Sequence, residues 1–183
     1  MRKLNFFVFL VLIPTLFFYG CYESEVPLSK SPSSKVDTRL IGSWISIPKD
    51  NEEKGIALLV QKFNENEYLI AWREGDYEEI VIARGFNTKI NNTNIINLQN
   101  IESLEKNDRT YIFIKYDFNE KSNLIVNILS DDYPSLKGKK FKSSKDFNDF
   151  VQKNISQKGL FGNSIEFKVA KEISFALSFK INP

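Results

Sequence analysis

The sequence predicts a mainly β domain, an antiparallel meander of strands with one amphipathic helix in its C-terminal half. Three observations lead there. From Leu40 to Leu129, apolar and polar residues alternate over most of the chain, the period-two pattern that turns one face of a strand to a core. Short turns rich in Asn, Gly and Glu separate these runs, as in consecutive hairpins. The period then changes once: Phe147, Phe150, Val151 and Ile155 fall at helical spacing.

Leu40 to Ile47 reads as the first strand and Gly55 to Phe63 as the second, with Ile56, Leu58 and Val60 on one face. Asn64-Glu65-Asn66 turns the chain into Glu67 to Arg73, which places Tyr68, Ile70 and Trp72 together. Glu74-Gly75-Asp76 leads to Tyr77 to Phe86, where Gly85 suggests a bulge or bend. Asn91-Asn92 marks a tight reversal before Ile95, Ile96 and Leu98. Thr110 to Phe118 and Ser122 to Leu129 form a hairpin, with Ile112, Ile114, Tyr116 and Phe118 on one face opposite Leu124, Val126 and Ile128. Ser130 to Lys142 reads as a polar loop. Ser143 or Ser144 then caps the helix, Asp146 lies in its first turn, and Gly159 fits its stop. Ile165, Phe167 and Val169 alternate again, and Ile173, Phe175, Leu177, Phe179 and Ile181 form a long final run. Strands at this spacing argue for a barrel or a sandwich, with the helix across a mouth or a flank.

Composition excludes several functions. Of the 25 Lys and Arg, Arg2 and Lys3 lie at the very start; without them 23 basic residues face 23 acidic ones. No basic field remains for nucleic acid. There is no His, which removes the commonest general base and the commonest transition-metal ligand. A single Cys allows neither an internal disulfide nor a thiolate metal cluster.

That Cys has a particular setting. Arg2 and Lys3 precede an almost wholly apolar run, Leu4 to Tyr19, too short for a comfortable membrane span. Gly20-Cys21 follows, and the chain then turns polar. Phe18-Tyr19-Gly20-Cys21 resembles the lipobox of bacterial lipoproteins, with Phe18 and Tyr19 where that family has a Leu-like and a small residue. The resemblance implies a signal peptide over 1–20 and a diacylglycerol on Cys21, whose acyl chains hold the protein on a bilayer at about 0.8 kcal/mol per buried CH₂. Tyr22 is not the Asp that retains some such lipoproteins on the inner membrane, so the same resemblance implies a cell-envelope, outer-membrane location. A secreted protein with a free Cys21, or a retained N-terminal helix, are the alternatives. Residues 21–37, with Pro27, Ser29, Ser31, Pro32, Ser33 and Ser34, are expected to form a flexible tether with little to bury. The folded domain is expected over 38–183.

Leu40-Ile41-Gly42-Ser43-Trp44 resembles the Gly-x-Trp motif that opens the first strand of lipocalins and many bacterial lipocalin-like domains. The order of elements, a meander and then a helix and a final strand, is similar over roughly residues 38–181. The resemblance implies a lipocalin-like barrel whose Trp plugs the closed end. The chain departs from that family in having no Arg after Arg109 to pack on the Trp.

Neither catalysis nor a metal site is expected. Gly138-Lys139 lacks the earlier Gly and the following Ser or Thr of a phosphate loop, so Lys137 to Lys140 reads as a solvated turn. Glu74, Asp76, Glu78 and Glu79 surround a predicted turn, and Asp131-Asp132 lies in a loop; both read as solvated carboxylates rather than acid/base pairs or cation ligands. The aromatic residues in strands remain. Trp44, Tyr68, Trp72, Phe113 and Tyr116 are the candidate ligand-binding residues, with Tyr111 and Phe118 beside them in sequence. Each is either packed core or the lining of a pocket for a small apolar ligand, since an eight-stranded barrel is just wide enough to hold one. The expected roles are a non-catalytic binding protein for such a ligand or for another envelope component, or an interaction module with a filled core. No cofactor is expected. An enzyme working through carboxylates is the remaining alternative.

Overall fold

The computed structural model describes residues 20–30, 32, 34–49, 55–75, 80–101 and 110–171. Its strands are β1 (Gly42–Ser46), β2 (Ile56–Lys62), β3 (Glu67–Glu74), β4 (Val81–Ile90), β5 (Thr93–Asn100), β6 (Tyr111–Phe118), β7 (Leu124–Ile128) and β8 (Ile165–Val169), with one helix, α1 (Ser144–Asn154). Each strand pairs antiparallel with the next, and β8 pairs back onto β1 through Trp44↔Val169 and Ser46↔Phe167. The sheet is a closed eight-stranded barrel, the arrangement that leaves no free sheet edge. Among the described residues, no helix is long and apolar enough to cross a membrane.

Two apolar bodies hold it together. The inward residues of the strands, among them Trp44, Val60, Tyr68, Ile70, Ala83, Ile96, Leu98, Tyr116, Leu124 and Phe167, form the barrel interior. The second body lies outside. Ile90, Ile95 and Phe113 point outward from β4, β5 and β6 and are covered by Phe147 and Val151 of α1, together with Tyr22, Leu28, Leu129, Leu136 and Leu160. Phe113 and Phe147 meet edge to face, 4.8 Å between centroids, and Phe141 stacks on Phe147 at 4.5 Å. Ser143 caps α1 by accepting from the Asp146 amide. The helix ends at Asn154, well before Gly159, which takes φ +88° in the turn beyond.

Several expectations change here. Gly85 is not a bulge: it pairs in register with Tyr68 and Leu98. A Cβ there would stand 2.9 Å from Ile96 Cγ2, so close packing is what requires the glycine. Strand β4 runs on through Asn87, Thr88 and Lys89 to the two-residue Asn91-Asn92 turn, where Asn91 adopts φ +53°. Leu40 belongs to a 3-10 turn, Thr38–Leu40, not to β1. The Ser130 to Lys142 loop is not merely polar, because Leu136 is fully buried. Residues 173–181, expected as a final strand, lie outside the described residues.

The expected tether also differs. Tyr22 and Leu28 are buried. Cys21 bridges Ser130 and Ser24 bridges Tyr111, so the segment takes the edge of β6 that β7 vacates. It then crosses the outer face, where the Leu28 amide donates to Asn97 Oδ1 at 2.7 Å and Ser29 Oγ meets Thr88 Oγ1 at 2.8 Å. The Val36 amide finally reaches the Glu65 carbonyl at the far end of the barrel.

Candidate functional site

The two ends of the barrel are built differently. At one end, the turns β2–β3, β4–β5 and β6–β7 are short, and the Thr38–Leu40 turn lies across the opening with Leu40 buried. Trp44 sits beneath it, its indole Nε1 donating to the Leu40 carbonyl at 2.9 Å. Tyr68 and Tyr116 fill the space beside it. The Tyr68 hydroxyl accepts from the Asp37 amide at 2.5 Å and from Asn87 Nδ2 at 2.8 Å. The Tyr116 hydroxyl donates toward Asp37 Oδ2 at 3.4 Å. Hydrogen bonds from the Arg39 guanidinium hold the Asp37 carboxyl below the usual range. Burial pushes both tyrosine hydroxyls above theirs.

The other half of the interior holds a cavity of about 80 Å³. Its wall is wholly apolar: Leu58, Trp72, Ile112, Ile114, Val126 and Phe167 line it, and it reaches Ile56, Ile128 and Ile165. Those three begin or end their strands at the rim away from the plug, so the cavity extends to that rim. Among the described residues, no hydrogen-bonding side chain other than the Trp72 indole enters the wall. The void therefore suits a small hydrocarbon group; a 150 Å³ apolar cavity takes benzene, so this one takes a smaller group or the end of a chain.

The five candidate binding residues separate accordingly. Trp72 lines the cavity. Trp44, Tyr68 and Tyr116 share its interior but fill the plugged half. Phe113 does not belong with them: it faces outward and is fully buried beneath α1. Alternation explains this, since Phe113 is out of phase with Ile112, Ile114 and Tyr116. Phe118 points inward near Trp44, 6.1 Å between centroids, and Tyr111 outward. The aliphatic wall of Leu58, Ile112, Ile114 and Val126 was not singled out by sequence. Inward aliphatics read alike whether they pack or line a void.

Cys21 is half-buried beside Ser130. Burial, then the Asp131 and Glu23 carboxylates, push its thiol up to about 11, which leaves little thiolate in the docked state. Lys137, Lys139 and Lys140 are exposed around Gly138, which takes φ +68°, as expected of a solvated turn. Asp132 is exposed, whereas Asp131 is half-buried. Of the other carboxylates singled out, Asp76, Glu78 and Glu79 lie outside the described residues. Among the described residues no group of three or more Cys, Asp or Glu side chains is placed to hold a metal ion.

No protein-family model, curated protein or solved structure matches the chain.

Proposed function

We propose that this chain is a lipid-anchored protein of the cell envelope, held on the outer membrane through acyl chains on Cys21, whose barrel carries a small apolar ligand without catalysis. The observation that carries the binding half of the reading is the cavity, with an aliphatic wall and Trp72, reaching the rim opposite the plug. Such a void has few ways to interact except by dispersion and the release of water from apolar surface, which makes hydrocarbon its natural occupant. The anchor rests on the apolar leader and Gly20-Cys21. Trp44 beneath the plug supports the lipocalin-like reading.

The small volume of the cavity favours a second reading, an interaction module whose interior is in effect filled. Native mass spectrometry of the full chain, extracted gently from membranes, separates the two. An added mass beyond the lipid on Cys21, lost on denaturation, is the expected result. The mass of the lipidated chain alone, unchanged after incubation with a lipid extract, overturns the carrier reading in favour of the filled module.

A further inference from the structure

The segment after Cys21 fixes where the anchor emerges. The Tyr22 amide donates to the Leu129 carbonyl at 2.9 Å, just past the end of β7. Ser24 exchanges backbone bonds of 3.1 and 2.8 Å with Tyr111, the first residue of β6. The Tyr22 hydroxyl donates to the Lys139 carbonyl at 2.6 Å, and its ring packs on Phe147 at 5.5 Å. Cleavage before Cys21 would remove Gly20 and its bond from the Asp131 amide, but every contact from Tyr22 onward survives it. Only Cys21 itself separates the lipid from a residue locked to the barrel.

The place where it is locked matters more than the lock. Tyr111 and Leu129 stand at the same rim as Ile56, Ile128 and Ile165, the rim that the cavity reaches. The plug of Thr38–Leu40 is at the opposite end, and the chain crosses the whole outer face to get there. Resting on the reading of Cys21 as a lipid anchor, we propose that the rim opposite the Thr38–Leu40 plug faces and touches the bilayer surface, so that the cavity lies on the membrane side of the barrel and not on the side of the surrounding water. A free tether of some sixteen residues would let the domain turn either way; a docked one does not. Charge does not make this choice, because Glu23, Glu25 and Lys140 stand together at that rim. An apolar chain end then passes between membrane and cavity without crossing water, where exposing each CH₂ would cost about 0.8 kcal/mol.

The test uses the full chain, purified from membranes and reconstituted in vesicles of phosphatidylethanolamine and phosphatidylglycerol. A water-soluble amine-acylating reagent is added and labelling is read residue by residue by mass spectrometry. Lys139 and Lys140 lie at the rim; Lys62, Lys89 and Lys121 lie at the plugged end. The expected result is several-fold slower labelling of Lys140 in vesicles than after the vesicles are dissolved, with Lys62, Lys89 and Lys121 unchanged. Brominated acyl chains supply an independent readout on the same preparation. They should quench emission of the wild-type chain, and Trp72→Phe, which leaves only Trp44, should lose most of that quenching. Protection of the plugged-end lysines, or uniform labelling with unquenched Trp72, on a chain whose Cys21 carries lipid, overturns the orientation and leaves the anchor standing. A free Cys21 thiol in the membrane-extracted chain overturns both.

Discussion

The backbone amide of Leu28 donates to the side-chain oxygen of Asn97 across 69 residues of sequence, at 2.7 Å and fully buried. Asn97 turns its amide nitrogen to Thr88 Oγ1 at 2.8 Å and to the Phe86 carbonyl at 3.2 Å. One outward-facing Asn thus latches the N-terminal segment to the barrel. Replacing it leaves a buried Leu28 N–H and the Thr88 hydroxyl short of partners. Asn97→Ala is expected to destabilise the protein by about 2–3 kcal/mol, from the cost of stranding buried polar groups. Hydrogen exchange at Leu28 should rise more than exchange in β2 and β3; equal protection in both places would show that the latch holds nothing.

Gly85 makes a sharper case. Its Cβ-to-be meets Ile96 Cγ2 at 2.9 Å, Leu98 Cδ1 at 3.3 Å and Ile70 Cδ1 at 3.4 Å. Ile96 Cγ2 is a branch held close to the backbone, so it cannot swing away. Gly85→Ala is expected to cost about 1–3 kcal/mol through overpacking, despite the usual gain from replacing a strand glycine. A chemical-denaturation midpoint equal to or above wild type would overturn this.

The plugged end gives the protein a pH profile. Asp37 has a lowered pKa, so its contribution is present above its ordinary value of 3.8 and is lost as pH falls through the lower folded value. Tyr68 and Tyr116 are raised, so their contribution is complete below pH 10.0 and is lost as pH rises above it. The melting temperature should therefore fall at both extremes. Absorbance at the tyrosinate band should show these two residues ionising only with unfolding. Tyr116→Phe should lessen the alkaline loss while costing about 0.5 kcal/mol at neutral pH, since its bond to Asp37 is long.

For the cavity, the two tryptophans are separate reporters. A fatty acid carrying a terminal bromine, a contact quencher small enough to enter the void, should quench Trp72, which lines it, and leave Trp44 beneath the plug largely unaffected. Ile114→Phe, which fills the void from β6, should abolish the effect. Equal quenching of both tryptophans, persisting in the filled variant, would place the brominated chain on the surface instead.

How far the sequence carried this picture depended on which face of a strand was exposed. In β2 and β3 most of the outer face is only partly covered, and alternation placed Ile56, Leu58, Val60, Tyr68, Ile70 and Trp72 correctly on one side. In β4, β5 and β6 the outer face is also covered, by α1 and the N-terminal segment. Phe86, Thr88, Ile90, Ile95, Asn97 and Phe113 are buried as well. Alternation then vanishes, and the polar stretch Asn87-Thr88-Lys89 hid the second half of β4. Phe113 was grouped with the interior aromatics although its parity with Ile112 and Tyr116 was visible in the sequence. The docked segment was hidden for another reason: Tyr22 and Leu28 are isolated apolar residues among Ser, Pro and Glu, and their partners lie some 70 to 125 positions away.

The seam between β1 and β8 has a consequence in time. Trp44 pairs with Val169 and Ile45 with Lys168, so closure joins the earliest strand to the latest one described. Contacts this distant along the chain slow folding. Until Ile165 to Val169 arrives, β1 and β7 each present an unpaired edge that can recruit another molecule. On the proposed reading of residues 1–20 as a signal peptide, such a delay suits a chain threaded through a membrane before it folds, because nothing upstream locks shut early. The same delay makes the unfinished chain dependent on whatever shields those edges until β8 pairs.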